Sequence, residues 1–282
     1  MQISCASEAA PGQVNEDYAI CGPNWATVLD GATAPRGVDS GCIHNIPWLV
    51  HQLAATLSTK MLLDEAFPLT DMLAAAIEDT CSAHANTCDL QNPDSPSTTV
   101  SIIRISSDTL EYLTLGDSPI ALWRPDNQIT VLKDDRTDHL PGGRPYTVEL
   151  VRSRRNKPGG FWVASTEPKA AYHAVTGNVP LTPGIEVGLF TDGATRLIDV
   201  YGYDWAGFFA SLRDLGPARV INRVRDAERN KPHPYGKRYD DATVVHVSDI
   251  AAPSLLVSRP VRSVISMVTA ARARRRRATG RP

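Results

Sequence analysis

The chain has 282 residues, 42% of them hydrophobic and 21% charged, with a formal net charge of −2. A chain of this size and composition folds as one large or two small domains and needs neither a disulfide nor a structural metal to do so. Its five cysteines form no Cys-x-x-Cys pair and no stretch of about 18 apolar residues occurs, which argues against a zinc knuckle, a disulfide framework and a membrane-spanning helix.

The first ten residues lack a basic n-region and an apolar run, so no signal peptide is expected and the thiols are read as free, in a cytoplasmic protein. From Arg259 onward there are eight arginines and no acid, so the body of the chain is more acidic than the net charge suggests. An acidic body argues against nucleic-acid binding by the main domain and suits a cation-binding enzyme. No internal repeat is present.

In chain order, residues 18–21 and 25–29 read as strands around a Gly22-Pro23-Asn24 turn. Residues 46–63 place Leu49, Leu53, Leu57 and Met61 at four-residue spacing, one apolar face of a helix. A second helix follows, capped by Thr70 or Asp71 and carrying Met72, Ala75, Ala76, Asp79 and Ala83. Residues 89–97 form a polar, Pro-containing loop. Strands are expected at 98–105, 109–115, 119–124, 128–132, 159–164 and 185–191, with a hairpin turn at Asp126-Asn127. Two helices, 205–214 and 217–229, precede a last strand at 242–247; Pro217 stands at the first position of its helix. Segregated runs of strands and helices predict an α+β fold: a central β-sandwich of two antiparallel sheets flanked by α-helices, in four layers αββα. The expected division is a domain at 1–247 and a basic, flexible tail at 248–282, whose electrostatic use would be contact with anionic membrane or nucleic acid.

The chemistry lies in the acids at strand ends. Asn15-Glu16-Asp17 opens a strand, Asp30-Gly31 closes one, Gly116-Asp117-Ser118 joins two, Thr191-Asp192-Gly193 follows an apolar strand, and Asp240-Asp241 opens the last. A single Asp-Gly is ordinary turn chemistry. Five acidic strand termini that converge at one edge of a sandwich repel one another unless cations neutralise them. An all-oxygen site of this kind suits Mg²⁺ or Mn²⁺. Two such cations about 3.5–4 Å apart activate a shared water for in-line attack on phosphorus, with no His or Cys nucleophile.

These five motifs, in this order, resemble the metal-dependent type 2C serine/threonine protein phosphatases, as a divergent, bacterial-type member matching over residues 1–247. The resemblance implies dephosphorylation of phosphoserine or phosphothreonine proteins by a water bridging two divalent cations, Mn²⁺ or Mg²⁺, with Asp30, Asp192 and Asp240 as the catalytic carboxylates. Asp30 would bridge both cations, the Gly31 carbonyl would bind one, and Asp192 and Asp240 would complete the other. Glu16, with Asp17 beside it, matches an acidic position that contacts a metal directly or through water, and Asp117 matches the position of a third, weaker metal. Asp241 stands where the family usually has Asn. Residues 202–239 would include the variable flap beside the site. The fold implied is the same sandwich, and the chain is expected to act as a monomer on a phosphorylated protein partner.

Two positions depart from the family pattern. Gly12 stands where members commonly carry a phosphate-gripping Arg, and the family's Asp-Gly-x-Gly-Gly loop is replaced by Asp30-Gly31-Ala32-Thr33-Ala34-Pro35-Arg36-Gly37. Arg36 is the candidate replacement for the missing phosphate partner. The alternatives are a non-catalytic, metal-binding pseudophosphatase that acts as a binding or regulatory module, and an enzyme for small phosphorylated metabolites. Elsewhere, His44, His51 and His84 read as helical surface or part-buried histidines, with His44 and His51 on one face and no zinc site. Cys81 and Cys88 read as core thiols on one helical face. The two glycine pairs, 142–143 and 159–160, read as turns.

Overall fold

The computed structural model describes residues 1–32, 37–63, 66–143, 145–231 and 237–250. Arg36 and the expected tail from residue 251 onward lie outside the described residues.

Among the described residues, ten strands form two five-stranded antiparallel sheets. In one, β1 (Gln2–Glu8) pairs with β10 (Ala242–Ser248), which pairs with β9 (Glu186–Phe190), followed by β6 (Ile120–Trp123) and β7 (Ile129–Leu132). In the other, β2 (Asp17–Cys21), β3 (Trp25–Ala32), β4 (Ser97–Ser106), β5 (Thr109–Leu115) and β8 (Val175–Pro180) lie in sequence order. The expected four-layer αββα sandwich is the fold observed.

Period-two alternation explains the layering. On β3, Ala26 and Val28 face the inter-sheet core with Val187, Leu189, Val245 and Val247. Trp25 and Leu29, one residue out of phase, face the opposite way, against the helices α1 (Ile46–Leu63) and α2 (Leu69–His84). The first sheet likewise turns Phe190, Ala242 and Val244 outward against α5 (Trp205–Leu215) and α6 (Pro217–Asn230), where Phe208, Phe209 and Leu212 pack. Both faces of each central strand are therefore covered, which is why β3 and β4 are almost entirely buried.

Helix ends follow local chemistry. Asn45 Oδ1 accepts the Trp48 amide at 3.0 Å, capping α1 at the residue directly after His44. Asp204 caps α5 through the Gly207 amide, and Gly216, at φ 77°, ends α5 so that Pro217 can open α6. α2 begins two residues earlier than a Thr70 cap requires and three earlier than an Asp71 cap does: Pro68 holds the N-cap position, with no side-chain cap.

Several elements differ from the sequence expectation. β1 and β8 are edge strands with mostly exposed or half-exposed residues, so neither carries the apolar alternation that betrays a central strand. Residues 159–164 contribute only two isolated bridges, Arg155 with Phe161 and Thr98 with Ala164, because α3 (Val148–Arg154) occupies the preceding segment. The 185–191 strand stops at Phe190, and Asp192 opens a short helix, α4 (Asp192–Asp199). His44 precedes α1 and stacks on Trp48, while His51 meets Tyr18 edge-on, so the two histidines do not share a helical face. α2 ends at His84, which places Cys88 in the turn beyond it rather than on a face shared with Cys81. No helix among the described residues is long and apolar enough to cross a membrane.

Candidate active site

The acids converge on a cavity of about 400 Å³ whose wall includes Asp30, Gly31, Asp117, Asp192 and Asp240. Each arrives from a different element. Asp30 lies inside β3, directly across the ladder from Asp17 on β2 and Thr99 on β4. The Asp30 carbonyl accepts the Thr98 hydroxyl at 2.9 Å, and its Oδ2 lies 3.4 Å from the Asp192 amide. Gly31 is required at its place: a Cβ there would come within 2.3 Å of Ile46 Cγ2 and 2.5 Å of the Glu16 carbonyl, which accepts the Gly31 amide. Gly193 is equally constrained, since a Cβ would lie 1.8 Å from the Asp241 carbonyl.

Asp117 sits on the tight connection from β5 to β6. Gly116 adopts φ 86° and donates its amide to buried Asp134 at 3.1 Å. Ser118 anchors the other side: its hydroxyl meets Thr99 Oγ1 at 2.6 Å and its carbonyl accepts Ser101 Oγ at 2.5 Å. Thr137 Oγ1 donates to Asp117 Oδ2 at 3.2 Å.

Asp17 is not on the cavity wall. It is buried, with Oδ2 accepting the hydroxyls of Thr191 and Thr243 at 2.8 and 2.9 Å. The Glu16 amide is held by Asp241 Oδ2 at 2.7 Å, and the other Asp241 oxygen takes the Ala10 amide at 2.7 Å. Asp241 thus fastens the 10–16 loop against the start of β10. Gly12 occupies the turn of that loop at φ 77° with open space around it.

The electrostatics are those of a carboxylate cluster short of cations. Burial, then the negative charges of Asp17, Asp192, Asp117 and Asp240, push Asp30 well above the usual carboxylate range. Burial pushes Asp17 to about 8 despite its two threonine donors, with Asp241 and Asp192 adding to the rise. Burial, then Asp240 and Asp117, raise Asp192 to about 7, opposed by Arg196 and Lys237. A carboxylate group of this kind prefers either protons or hard divalent cations. The donor set, all oxygen and arranged around a cavity, fits such cations.

Behind the acids lies a cationic brace. Arg196 spans Glu228 at 2.8 Å and Asp240 at 2.6 Å; Arg225 donates to Glu228 at 2.9 Å and to the Asp240 carbonyl at 2.6 Å. Arg196, Arg225 and Glu228 are all buried, so these pairs fix the Asp240 carboxylate in one orientation. Lys237 reaches Asp240 Oδ1 at 3.3 Å; burial works to lower it, but Asp240, Glu16 and Asp30 raise it above its ordinary value.

Three further cations line the cavity beside the acids: Lys237, Arg152 and Arg155. Arg152 is paired with Asp94 at 2.6 Å. Arg155 closes α3 and, among the described residues, donates to two neutral groups, the Pro93 carbonyl at 2.5 Å and Ser97 Oγ at 3.2 Å. Burial lowers Arg155 from its ordinary value, offset in part by Asp94 and Glu167. The chain returns beside it through Gly160, where a Cβ would lie 1.9 Å from the Arg154 carbonyl. Neither arginine was singled out from the sequence; the Lys157-Pro158-Gly159-Gly160 turn after α3 is the one signal that the segment doubles back.

The sequence profile of protein phosphatase 2C matches residues 6–228, a span that runs from within β1 to within α6 and holds four of the five acidic motifs. The chain belongs to the protein phosphatase 2C family. It is a protein phosphatase, and the phosphatases of this family use divalent metals. A comparison with curated protein sequences gives no match. Among solved structures, the phosphatase fold here is similar to the PPM Ser-Thr phosphatase MsPP of Mycobacterium smegmatis, crystallised with cacodylate, at 16% identity and a TM-score of 0.59 over 89% of this chain and 99% of that one. It is also similar to the PstP/Ppp serine/threonine phosphatase of Mycobacterium tuberculosis, at 19% identity and a TM-score of 0.57 over 87% of this chain and 97% of that one. The PstP catalytic domain in complex with two manganese ions aligns at 17% identity and a TM-score of 0.54, over 87% and 96% of the two chains. At these identities the likeness is one of fold.

Proposed function

We propose that this phosphatase hydrolyses phosphoserine and phosphothreonine monoesters on proteins, using two divalent cations, Mn²⁺ or Mg²⁺. The observation that carries this reading is the convergence of Asp30, Asp192, Asp240 and Asp117 on one cavity, where burial and then the neighbouring carboxylates raise Asp30 and Asp192 above the usual range. The two manganese ions of the PstP catalytic domain support a pair of cations.

Asp30, the Gly31 carbonyl, Asp192 and Asp240 would hold the pair, Glu16 and Asp17 would support it, and Asp117 would serve a third, weaker cation. When bound, such cations supply Lewis acidity and lower the pKa of a shared water. The protein's own part is placement. Arg196 holds one oxygen of Asp240 and so orients the other. Thr191 and Thr243 occupy Asp17 Oδ2, which leaves Asp30 as the acid of this strand pair that lines the cavity. Arg155 and Lys237 donate to phosphoryl oxygens, the task that Gly12 cannot perform.

Turnover of a phosphopeptide and of p-nitrophenyl phosphate with Mn²⁺ or Mg²⁺ tests the reading. Asp30→Asn and Asp192→Asn should each lower kcat/KM by more than about 100-fold, beyond what loss of an outer-shell partner costs. No hydrolysis of either substrate by the metal-loaded protein would sink it. The open turn at Gly12 favours a second reading, a metal-binding module without turnover. Calorimetric binding of Mn²⁺ without hydrolysis would select that one.

A further inference from the structure

Far from the strand-end acids in sequence, four side chains of a different chemistry meet. Cys42 and His44 lie in the 37–45 segment that leads into α1, His84 is the last residue of α2, and Cys88 sits in the turn beyond it. One ligand atom from each of the four lies within 4.8 Å of every other. Cys42 Sγ is 3.6 Å from His44 Nδ1 and 3.6 Å from His84 Nδ1; Cys88 Sγ is 3.3 Å from His44 Nδ1 and 2.8 Å from Cys42 Sγ.

We infer that Cys42, His44, His84 and Cys88 form a structural zinc site that clamps the entrance of α1 to the end of α2. A tetrahedral Zn²⁺ with its usual Zn–S and Zn–N bonds requires ligand atoms about 3.3–3.8 Å apart. Three of the four separations above fall in or at the edge of that range, and the sulfur pair needs to open by less than an ångström. Two thiols and two imidazoles are the soft and borderline donors that select zinc over Mg²⁺ or Mn²⁺, so the two centres of this chain would load with different ions.

The surroundings are built for rigidity. The Thr87 and Cys88 amides both donate to the His84 carbonyl at 3.0 Å, curling the helix end so that Cys88 returns over His84. The Asp89 amide donates to the Gly41 carbonyl at 2.8 Å, and Asn92 Nδ2 to the Asp39 carbonyl at 3.1 Å, so the two backbones are laced together on the far side. The His44 ring stacks on Trp48 at 3.9 Å, and Trp48 also meets His84 at 5.1 Å, which fixes both imidazoles. His84 is buried, its Nδ1 lies 3.6 Å from Cys42 Sγ, and its Nε2 has no hydrogen-bond partner among the described residues. From Cys88 the chain runs on to Pro93, Asp94 and Ser97 on the wall of the active-site cavity, so the clamp holds the base of the segment that steadies Arg152 and Arg155.

The test uses the full chain, reduced and stripped with chelator, and titrated with Co²⁺ as a spectroscopic stand-in for zinc. The expected result is the visible absorption of tetrahedral cobalt with a near-ultraviolet thiolate band, abolished by one equivalent of Zn²⁺. The signal should persist in the Asp30→Asn/Asp192→Asn double variant and vanish in Cys42→Ser/Cys88→Ser. Should the serine variant fail to fold, His44→Ala serves instead, and should shift the cobalt spectrum and weaken Zn²⁺ binding by at least about 10-fold. Absence of a thiolate band in the reduced wild type, or its survival without both cysteines, overturns the proposal. So does recovery of a Cys42–Cys88 disulfide from protein purified with reductant and Zn²⁺.

Discussion

Asp17 and Asp30 are direct cross-strand partners, two carboxylates facing one another on β2 and β3. Like charges in this arrangement destabilise a sheet, and burial magnifies the effect. In the metal-free protein burial, ahead of the neighbouring carboxylates, holds both acids above their usual range, Asp17 at about 8, with Asp192 at about 7. In the unfolded chain these groups titrate near the ordinary aspartate value of 3.8. Between those limits the folded state holds protons that the unfolded state has released, so stability falls as pH rises. Chelator-treated protein should thus melt at a lower temperature at pH 8 than at pH 5, and Mn²⁺ should recover the loss at pH 8. A melting temperature in chelator that rises from pH 5 to pH 8 would contradict this account.

Arg155 is the cation on the cavity wall whose hydrogen bonds, among the described residues, go to the neutral Pro93 carbonyl and Ser97 Oγ, so its guanidinium can turn to a phosphoryl group without breaking an ion pair. A charge-assisted hydrogen bond contributes about 1.5–3 kcal/mol, so Arg155→Ala should lower kcat/KM for a phosphopeptide by about 10- to 100-fold. Arg155→Lys keeps the charge but loses the planar fork and should recover only part of the loss. Steady-state kinetics on the two variants decide the matter; unchanged kcat/KM in Arg155→Ala would remove the residue from the site.

How much of this was written in the sequence depends on distance along the chain. α1 could be read residue for residue, because Leu49, Leu53, Leu57 and Met61 repeat within one element. The acids were legible because each stands beside a strongly apolar strand or a glycine, a local mark. Asp192 was legible as an acid but not as the start of a helix, since an Asp-Gly pair after a strand reads equally well as a turn. Arg155 and Arg196 gave no local sign: their roles come from α3 doubling back and from α4 facing Glu228, both tertiary facts. The Cys42, His44, His84 and Cys88 cluster was hidden for the same reason, its two halves being separated by the whole α1–α2 hairpin.

Asp241 makes a prediction against the family's usual asparagine. Both of its oxygens accept backbone amides, from Ala10 and Glu16, and asparagine offers one acceptor oxygen and an NH₂ group in place of the other. Asp241→Asn should leave one buried amide without a partner and cost about 1–3 kcal/mol. Chemical denaturation should show the lowered midpoint with an unchanged slope. A variant as stable as the wild type would mean that the 10–16 loop is held by other contacts.

The basic segment at the end of the chain is open to a simpler test. β10 ends at Ser248, and Val247 and Ile250 are the last described residues in the inter-sheet core. Both five-stranded sheets are complete among the described residues. Truncation after Ser258 should leave both kcat/KM on p-nitrophenyl phosphate and the melting temperature within error of the full chain. The same truncation should reduce binding to vesicles containing anionic lipid, because eight arginines leave with it. A truncated protein that loses turnover would instead assign the segment to the catalytic domain.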